Sequence, residues 1–280
     1  MTAAFGGGSE RLRASARRLG AGAYFGGLRT LGVTALKRRI ADAGLVLCYH
    51  NVVADDERDV GGLGLHVRRE RFESHMRWLV DHYTIVPLGN FVDRIASGSS
   101  LRAIAAVTFD DGYEGVFEHA VPILGALGIP ATVFLVADAV GTNAPFWWDR
   151  AAPHRPAGWD TVRAAMRHGV EFGAHSRTHP SLPTLADARL EDEIAGGRAI
   201  LHAATGERPE FFAYPYGHWN ARVRDAVEAA GYRAGFTLDY GLNRADGDPW
   251  ALRRVNVPAG ISAQRLDTWA GGFHQLRRAG

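Results

Sequence analysis

Ile104-Ala105-Ala106-Val107-Thr108-Phe109-Asp110-Asp111-Gly112 is an apolar run that stops on two adjacent carboxylates and a glycine. The run reads as a buried strand of an α/β sheet. Successive side chains of a strand point to opposite faces, so Asp110 and Asp111 can converge on one cleft only if the chain turns at once. Gly112 supplies the turn. A second apolar run, Val170 to Ala174, leads into His175-Ser176-Arg177-Thr178-His179. Two carboxylates and two imidazoles are enough for a metal-centred hydrolytic site, one carboxylate joining the imidazoles on a cation while the other takes a proton from water. Each stretch alone has a plainer reading. Asp-Asp-Gly is an ordinary turn, and twelve histidines in 280 residues make a close pair unsurprising. Their shared position after strand-like runs favours the site, because barrels and open α/β sheets carry their chemistry at strand C-terminal ends.

Working outward, strand-like runs at 45–49, 104–109, 131–137, 170–174, 210–214, 232–238 and 252–257 alternate with helical patterns at 70–82, 114–127, 158–168, 184–204 and 219–230. Such alternation predicts a parallel sheet closed, or nearly closed, by helical crossovers. In 184–204, Leu190, Ile194 and Leu201 share one face with Ile200 beside it, a core stripe that Thr205-Gly206 terminates. A chain of 280 residues with 46% hydrophobic content buries one barrel-sized core and leaves little for a second domain. Cys48, the single cysteine, lies in an apolar run and reads as a packed core thiol; no disulfide can form within the chain.

Thr108-Phe109-Asp110-Asp111-Gly112, His175-Ser176-x-x-His179 and Phe212-Ala213-Tyr214-Pro215-Tyr216-Gly217, in that order, resemble the motifs of the polysaccharide deacetylase family, also called NodB-homology or carbohydrate esterase family 4 enzymes. The likeness spans roughly residues 44–258. It implies a distorted (β/α) barrel, here of seven strands, with a divalent metal held by Asp111, His175 and His179 and with Asp110 as catalytic base. It also implies hydrolysis of an N-acyl group, usually the N-acetyl of an amino sugar in a polysaccharide, oligosaccharide or lipid-linked glycan precursor. Zinc is the expected ion, although iron, cobalt and manganese suit the same donors. Tyr216 resembles the residue whose backbone N–H helps hold the tetrahedral oxyanion, on a loop that proline stiffens and glycine turns.

Two departures matter. Many members of the family carry an arginine two positions before the proline, where it pairs with the base carboxylate, and this chain has Ala213 there. Arg253 or Arg254 is the expected substitute, since a guanidinium fork pairs bidentately with a carboxylate. Typical members also place a general-acid histidine in a late strand, whereas His274 here reads as tail. Leu45-Val46-Leu47-Cys48-Tyr49-His50 instead delivers an imidazole at the end of an apolar strand. That order resembles the permuted branch acting on poly-N-acetylglucosamine, and makes His50 the expected general acid; the alternative is a histidine that merely hydrogen-bonds at a strand end. Phe146-Trp147-Trp148-Asp149 reads equally as a sugar-stacking platform or as a hydrophobic lid. Asp239 either orients a site group or serves a turn.

Residues 1–40 differ in character, with a glycine-rich start and Arg11, Arg13, Arg17, Arg18, Arg29 and Lys37-Arg38-Arg39 interleaved with apolar residues. Neither a secretory h-region nor a transmembrane stretch is visible there, so a cytoplasmic location is expected. The segment reads either as a peripheral contact with an anionic membrane face or as a self-packed basic helix, leaving 41–280 as the catalytic domain. A net charge of only +2 argues against a nucleic-acid partner. Loss of the arginine at Ala213 keeps one alternative open, a sugar-binding barrel without turnover.

Overall fold

The structure is a computed structural model that describes residues 27, 32–58, 63–149 and 154–272. In chain order its strands are β1 (Leu45–Tyr49), β2 (Asn51–Val53), β3 (His66–Arg68), β4 (Thr84–Ile85), β5 (Ile104–Phe109), β6 (Ala131–Leu135), β7 (Glu171–Ala174), β8 (Phe211–Ala213), β9 (Ala234–Phe236) and β10 (Val255–Asn256). The helices are α1 (Val33–Ile40), α2 (Arg69–His82), α3 (Leu88–Ala96), α4 (Val121–Leu127), α5 (Trp159–Arg167), α6 (Asp187–Glu191), α7 (Gly197–Thr205), α8 (Ala221–Ala229) and α9 (Ala263–Ala270).

Seven strands pair in parallel in the order β10-β1-β5-β6-β7-β8-β9, with β4 attached to the lower part of β5. Leu252 bridges to Phe236 of β9, and three residues later Val255 pairs with Leu47 of β1. One short stretch therefore stands between the two ends of the sheet and completes the distorted seven-stranded (β/α) barrel. Most crossovers are helical, as parallel pairing requires.

Alternation along each strand sorts the core into two layers. Val46, Ala106, Phe134, Phe211, Ala213, Phe236 and Leu252 form the inner cluster. Leu88, Phe91, Val92 and Ile95 of α3 join it, so that helix plugs the barrel beside the strand N-termini. Losing Phe91 there should cost about 3–5 kcal/mol. Leu45, Leu47, Val107, Phe109, Val133 and Leu135 belong to the outer layer with Phe72, Met76 and Leu79 of α2 and Val223 and Val227 of α8. The same alternation turns Cys48 and His50 of the β1 run, and Thr108 and Asp110 of the β5 run, toward the interior.

Several boundaries differ from expectation. The pattern at 114–127 becomes a wide π-helical turn, Val116–Ala120, followed by α4. The pattern at 184–204 is interrupted by a second π-helical turn, Asp192–Gly196, between α6 and α7. Leu190, Ile194 and Leu201 are buried as predicted, and Gly206 ends α7 in the left-handed conformation. Helix α1 lies in the basic segment for which a helix was one of the two readings, whereas helices α3 and α9 and the β2–β3 pair were not anticipated. The run at 252–257 shortens to β10 and the Leu252 bridge, because Arg253 and Arg254 occupy its middle.

Candidate active site

Asp110 continues the inward alternation of β5, its N–H donating to Tyr49 O at 2.9 Å. Asp111 cannot follow in extended backbone without pointing outward. It takes a left-handed φ of 72°, so the turn runs through Asp111 and Gly112 together. Gly112 has φ 79°, a conformation that side chains strain, and a Cβ there would press on Leu135 Cδ2 at 2.5 Å. Asp111, Ser176, His179 and Tyr216 are four of the five non-glycine residues with positive φ among those described. Strained backbone of this kind collects where side chains must be aimed.

His175 leaves β7 with its N–H on Leu135 O at 2.8 Å, and its Nδ1–H donates to Ala213 O at 2.8 Å. That second bond fixes the tautomer and leaves the Nε2 lone pair free. His175 Nε2 lies 3.5 Å from Asp111 Oδ1, and His179 Nε2 lies 3.4 Å from the same oxygen. Asp111 Oδ1 is buried without a hydrogen-bond donor. Ligand atoms about 2.1 Å from a tetrahedral ion stand about 3.4 Å apart, so these three donors fit a divalent cation.

Arg254 closes the other half of the site. Its Nη1 and Nη2 donate to Asp110 Oδ1 and Oδ2, both at 2.7 Å, and its Nε donates to Thr237 O at 2.9 Å. The guanidinium is 0% exposed and enters from the chain leading into β10. Arg253 instead donates its backbone N–H to Asn243 Oδ1, so Arg254 is the residue that fills the place left by Ala213. Cys48 is buried as expected but is more than packing, because its Sγ lies 3.4 Å from Asp110 Oδ2 as a donor. Donor atoms of Cys48, His50 and Asp110 also converge within 4.8 Å. The guanidinium already occupies both Asp110 oxygens, which disfavours a second cation there.

Charges in this cluster are set by burial and by neighbours. Burial alone would raise the Asp110 carboxyl, yet Arg254 and His175 outweigh it and hold the group below the usual carboxylate range. Asp111 moves the opposite way, because burial is joined by repulsion from Asp110 and Asp149. Burial lowers His50 to about 4 against the pull of Asp110, and it also lowers His175 and His179. Both imidazoles beside Asp111 are therefore neutral at neutral pH, the state in which nitrogen can ligate.

Aromatic side chains wall the imidazoles. Trp148 stacks on His179 with centroids 4.0 Å apart, while Tyr216 meets the His179 ring edge-on at 4.5 Å. Trp148 is held from behind by Phe146, and the neighbouring Asp149 accepts Tyr113 Oη–H at 3.0 Å and pairs with His66 Nε2 at 2.9 Å. Trp147 is 56% exposed. The Phe146–Asp149 stretch thus divides its work, with Trp148 packed on the site and Trp147 open to solvent. Tyr216 occupies a tight turn, Pro215–Gly217, with φ 59°. The Asp239 carboxylate accepts Trp219 Nε1 at 2.9 Å, and its backbone carbonyl accepts the Arg254 N–H at 3.2 Å. His274 falls outside the described residues. Sequence reasoning did not single out Trp148 as a neighbour of His179, nor the contacts of Cys48 and Asp149, since each depends on loop packing that no local pattern encodes.

Comparison with known proteins places this arrangement. Residues 98–235 match the family model described as polysaccharide deacetylase. YxkH of Bacillus subtilis (strain 168), a candidate polysaccharide deacetylase, is 26% identical over 226 residues, covering 80% of this chain and 75% of the relative. The poly-beta-1,6-N-acetyl-D-glucosamine N-deacetylase of Staphylococcus aureus (strain MSSA476) is 24% identical, covering 75% and 73% of the two chains. Among solved structures, IcaB from Ammonifex degensii aligns with a TM-score of 0.69 at 24% identity over 82% of this chain and 98% of its own. Streptococcus pyogenes deacetylase PplD, solved with acetate, gives a TM-score of 0.70 at 17% identity over 80% and 96%.

Proposed function

The chain belongs to the polysaccharide deacetylase family, and on that premise we propose that it is a metal-dependent hydrolase removing the N-acetyl group of an amino sugar. Its substrate in this reading is a polysaccharide, an oligosaccharide or a lipid-linked glycan precursor. The carrying observation is the convergence of Asp111, His175 and His179 on one buried point beside the Arg254-paired Asp110. A bound divalent cation, zinc in this proposal, supplies Lewis acidity to the amide carbonyl and to water.

Asp110 is the general base. Arg254 keeps it anionic, and a depressed carboxyl hands on a proton readily once it has taken one. His50 is the general acid toward the departing amine. Unprotonated at neutral pH, it receives the proton that Asp110 takes from water, and its place beside Asp110 supports that relay. The Tyr216 backbone N–H is the proposed donor to the developing oxyanion, and the left-handed turn between Pro215 and Gly217 supports a fixed direction for it. Trp147, open to solvent beside Trp148, offers a flat face to a sugar ring.

The relative named as acting on poly-beta-1,6-N-acetyl-D-glucosamine makes that polymer the first substrate to test. Acetate release should be measured on it and on chitooligosaccharides, with and without chelator. Release that Asp110→Asn and chelator both abolish is expected; no release from either substrate would leave a binding barrel as the better account. Residues 1–40 are the proposed peripheral membrane segment. Support comes from α1, where Leu36 (59%) and Ile40 (64%) are exposed beside basic residues. No helix among the described residues is long and apolar enough to cross a membrane.

A further inference from the structure

We infer that Glu193 is a positioning residue for the loop that carries both histidines, its buried carboxylate holding the backbone of His175–His179 in the shape that aims the two imidazoles at Asp111. This rests on the reading of Asp111, His175 and His179 as metal ligands.

Glu193 is 0% exposed. Its Oε2 accepts the backbone N–H of Arg177 at 3.0 Å and of Thr178 at 2.8 Å, and its Oε1 accepts Thr178 Oγ1–H at 2.6 Å. Arg189 Nη2 completes the shell at 2.5 Å from Oε1. Arg177 and Thr178 are two of the three residues between the histidines, so one carboxylate holds the middle of the loop. Consecutive N–H groups turned toward one point form an anion-accepting concavity. The conformation that turns them inward also sets Ser176 and His179 at φ 63° each, a strained arrangement that needs an external partner.

The scaffold brings that partner in deliberately placed backbone. Glu193 lies in the π-helical turn Asp192–Gly196, and such turns recur at functional positions. One step further, a Cβ on Gly197 would stand 3.0 Å from Arg177 N and 3.1 Å from the Ser176 carbonyl carbon, so the helix lies directly against the loop. A buried apolar residue in place of Glu193 would fill the space and leave both N–H groups without an acceptor. The Arg177 side chain adds an outer clamp to Asp138 and Asp192, but those pairs are a third or more exposed and hold less firmly.

Outer contacts that orient metal ligands are worth about 10- to 100-fold in metal affinity. The test is zinc affinity by chelator competition, together with the melting temperature of the metal-free protein, for Glu193→Ala, Glu193→Gln and Ile194→Ala. Ile194 is its buried apolar neighbour and serves as the control for stability alone. Glu193→Ala should weaken zinc by about 10-fold or more. Glu193→Gln, which keeps one acceptor oxygen, should recover part of that loss, and Ile194→Ala should melt earlier with wild-type zinc affinity. Zinc affinity within about twofold of wild type in Glu193→Ala would overturn the inference, as would losses in all variants that merely track melting temperature. If Glu193→Ala does not fold, unchanged affinity in Glu193→Gln overturns it equally. His179→Ala separates the two readings: undiminished zinc binding in that variant refutes the ligand assignment itself, whereas its loss beside an unaffected Glu193→Ala refutes only the role of Glu193.

Discussion

Removing Arg254 should cost both stability and turnover, and the two losses should share one pH dependence. Arg254 and Asp110 are 0% and 1% exposed and joined by two bonds of 2.7 Å. Arg254→Ala leaves a buried carboxylate without its partner, a change worth about 3–5 kcal/mol. For a chain of this size that is a fall in melting temperature on the order of 10 °C. The sign with pH follows from Asp110. In the wild type its carboxyl sits below the unfolded value, so its contribution is present above about pH 4 and fades only as pH falls through the folded value. Without Arg254 the burial effect dominates, the carboxyl rises above the unfolded value, and the penalty grows with pH. The melting-temperature gap between wild type and variant should therefore widen from pH 5 to pH 8, while the acid limb of the variant's deacetylation profile moves upward. Arg254→Lys, with a single ammonium unable to engage both oxygens in parallel, should fall between the two. In an Asp110→Asn background the Arg254→Ala cost should shrink by about 1–3 kcal/mol. A cost that is the same in both backgrounds and flat with pH would refute the reasoning.

Single alanine variants at Asp111, His175 and His179 should lose bound metal, and wild-type metal affinity should fall as the medium is acidified because Asp111 must shed a proton to ligate; full occupancy in all three would remove the ligand set. His50→Ala should lower turnover by about a hundredfold with metal content intact, and near-normal turnover would end its role as acid. Tyr216→Gly keeps the backbone N–H and relieves the left-handed strain, so turnover within about threefold of wild type is expected; a far larger loss would shift the role to the phenol. Leu36→Glu with Ile40→Glu should reduce flotation with anionic vesicles, and no change would eliminate α1 from any membrane contact.

The amino-acid sequence determined by itself what depends on local order along the chain. Continuous apolar runs ending in chemistry-bearing residues placed Asp110, Asp111, His175 and His50 at strand ends, and the alternation of strand and helix gave the parallel barrel. Glycine at 112 and the proline-glycine turn around Tyr216 were legible because glycine enters left-handed backbone without steric cost and proline fixes the approach to a turn. What the tertiary structure alone decided are the contacts between residues far apart in the chain. Arg254 rather than Arg253 reaches Asp110 because the inward alternation of the strand entering β10 selects it, and they are 144 positions apart. Asp111 Oδ1 meets both imidazoles, 3.5 Å from His175 and 3.4 Å from His179, only because β5 and β7 end at the same face of the barrel. Glu193 carries no signal of its own in the sequence, and only the π-helical turn brings it under the histidine loop. Helix α3 plugs the barrel floor for the same reason: its apolar spacing says that one face is buried, but not against what. Local propensity and pattern fix the direction in which a side chain leaves the backbone, whereas the partner it meets is set by closure of the whole sheet.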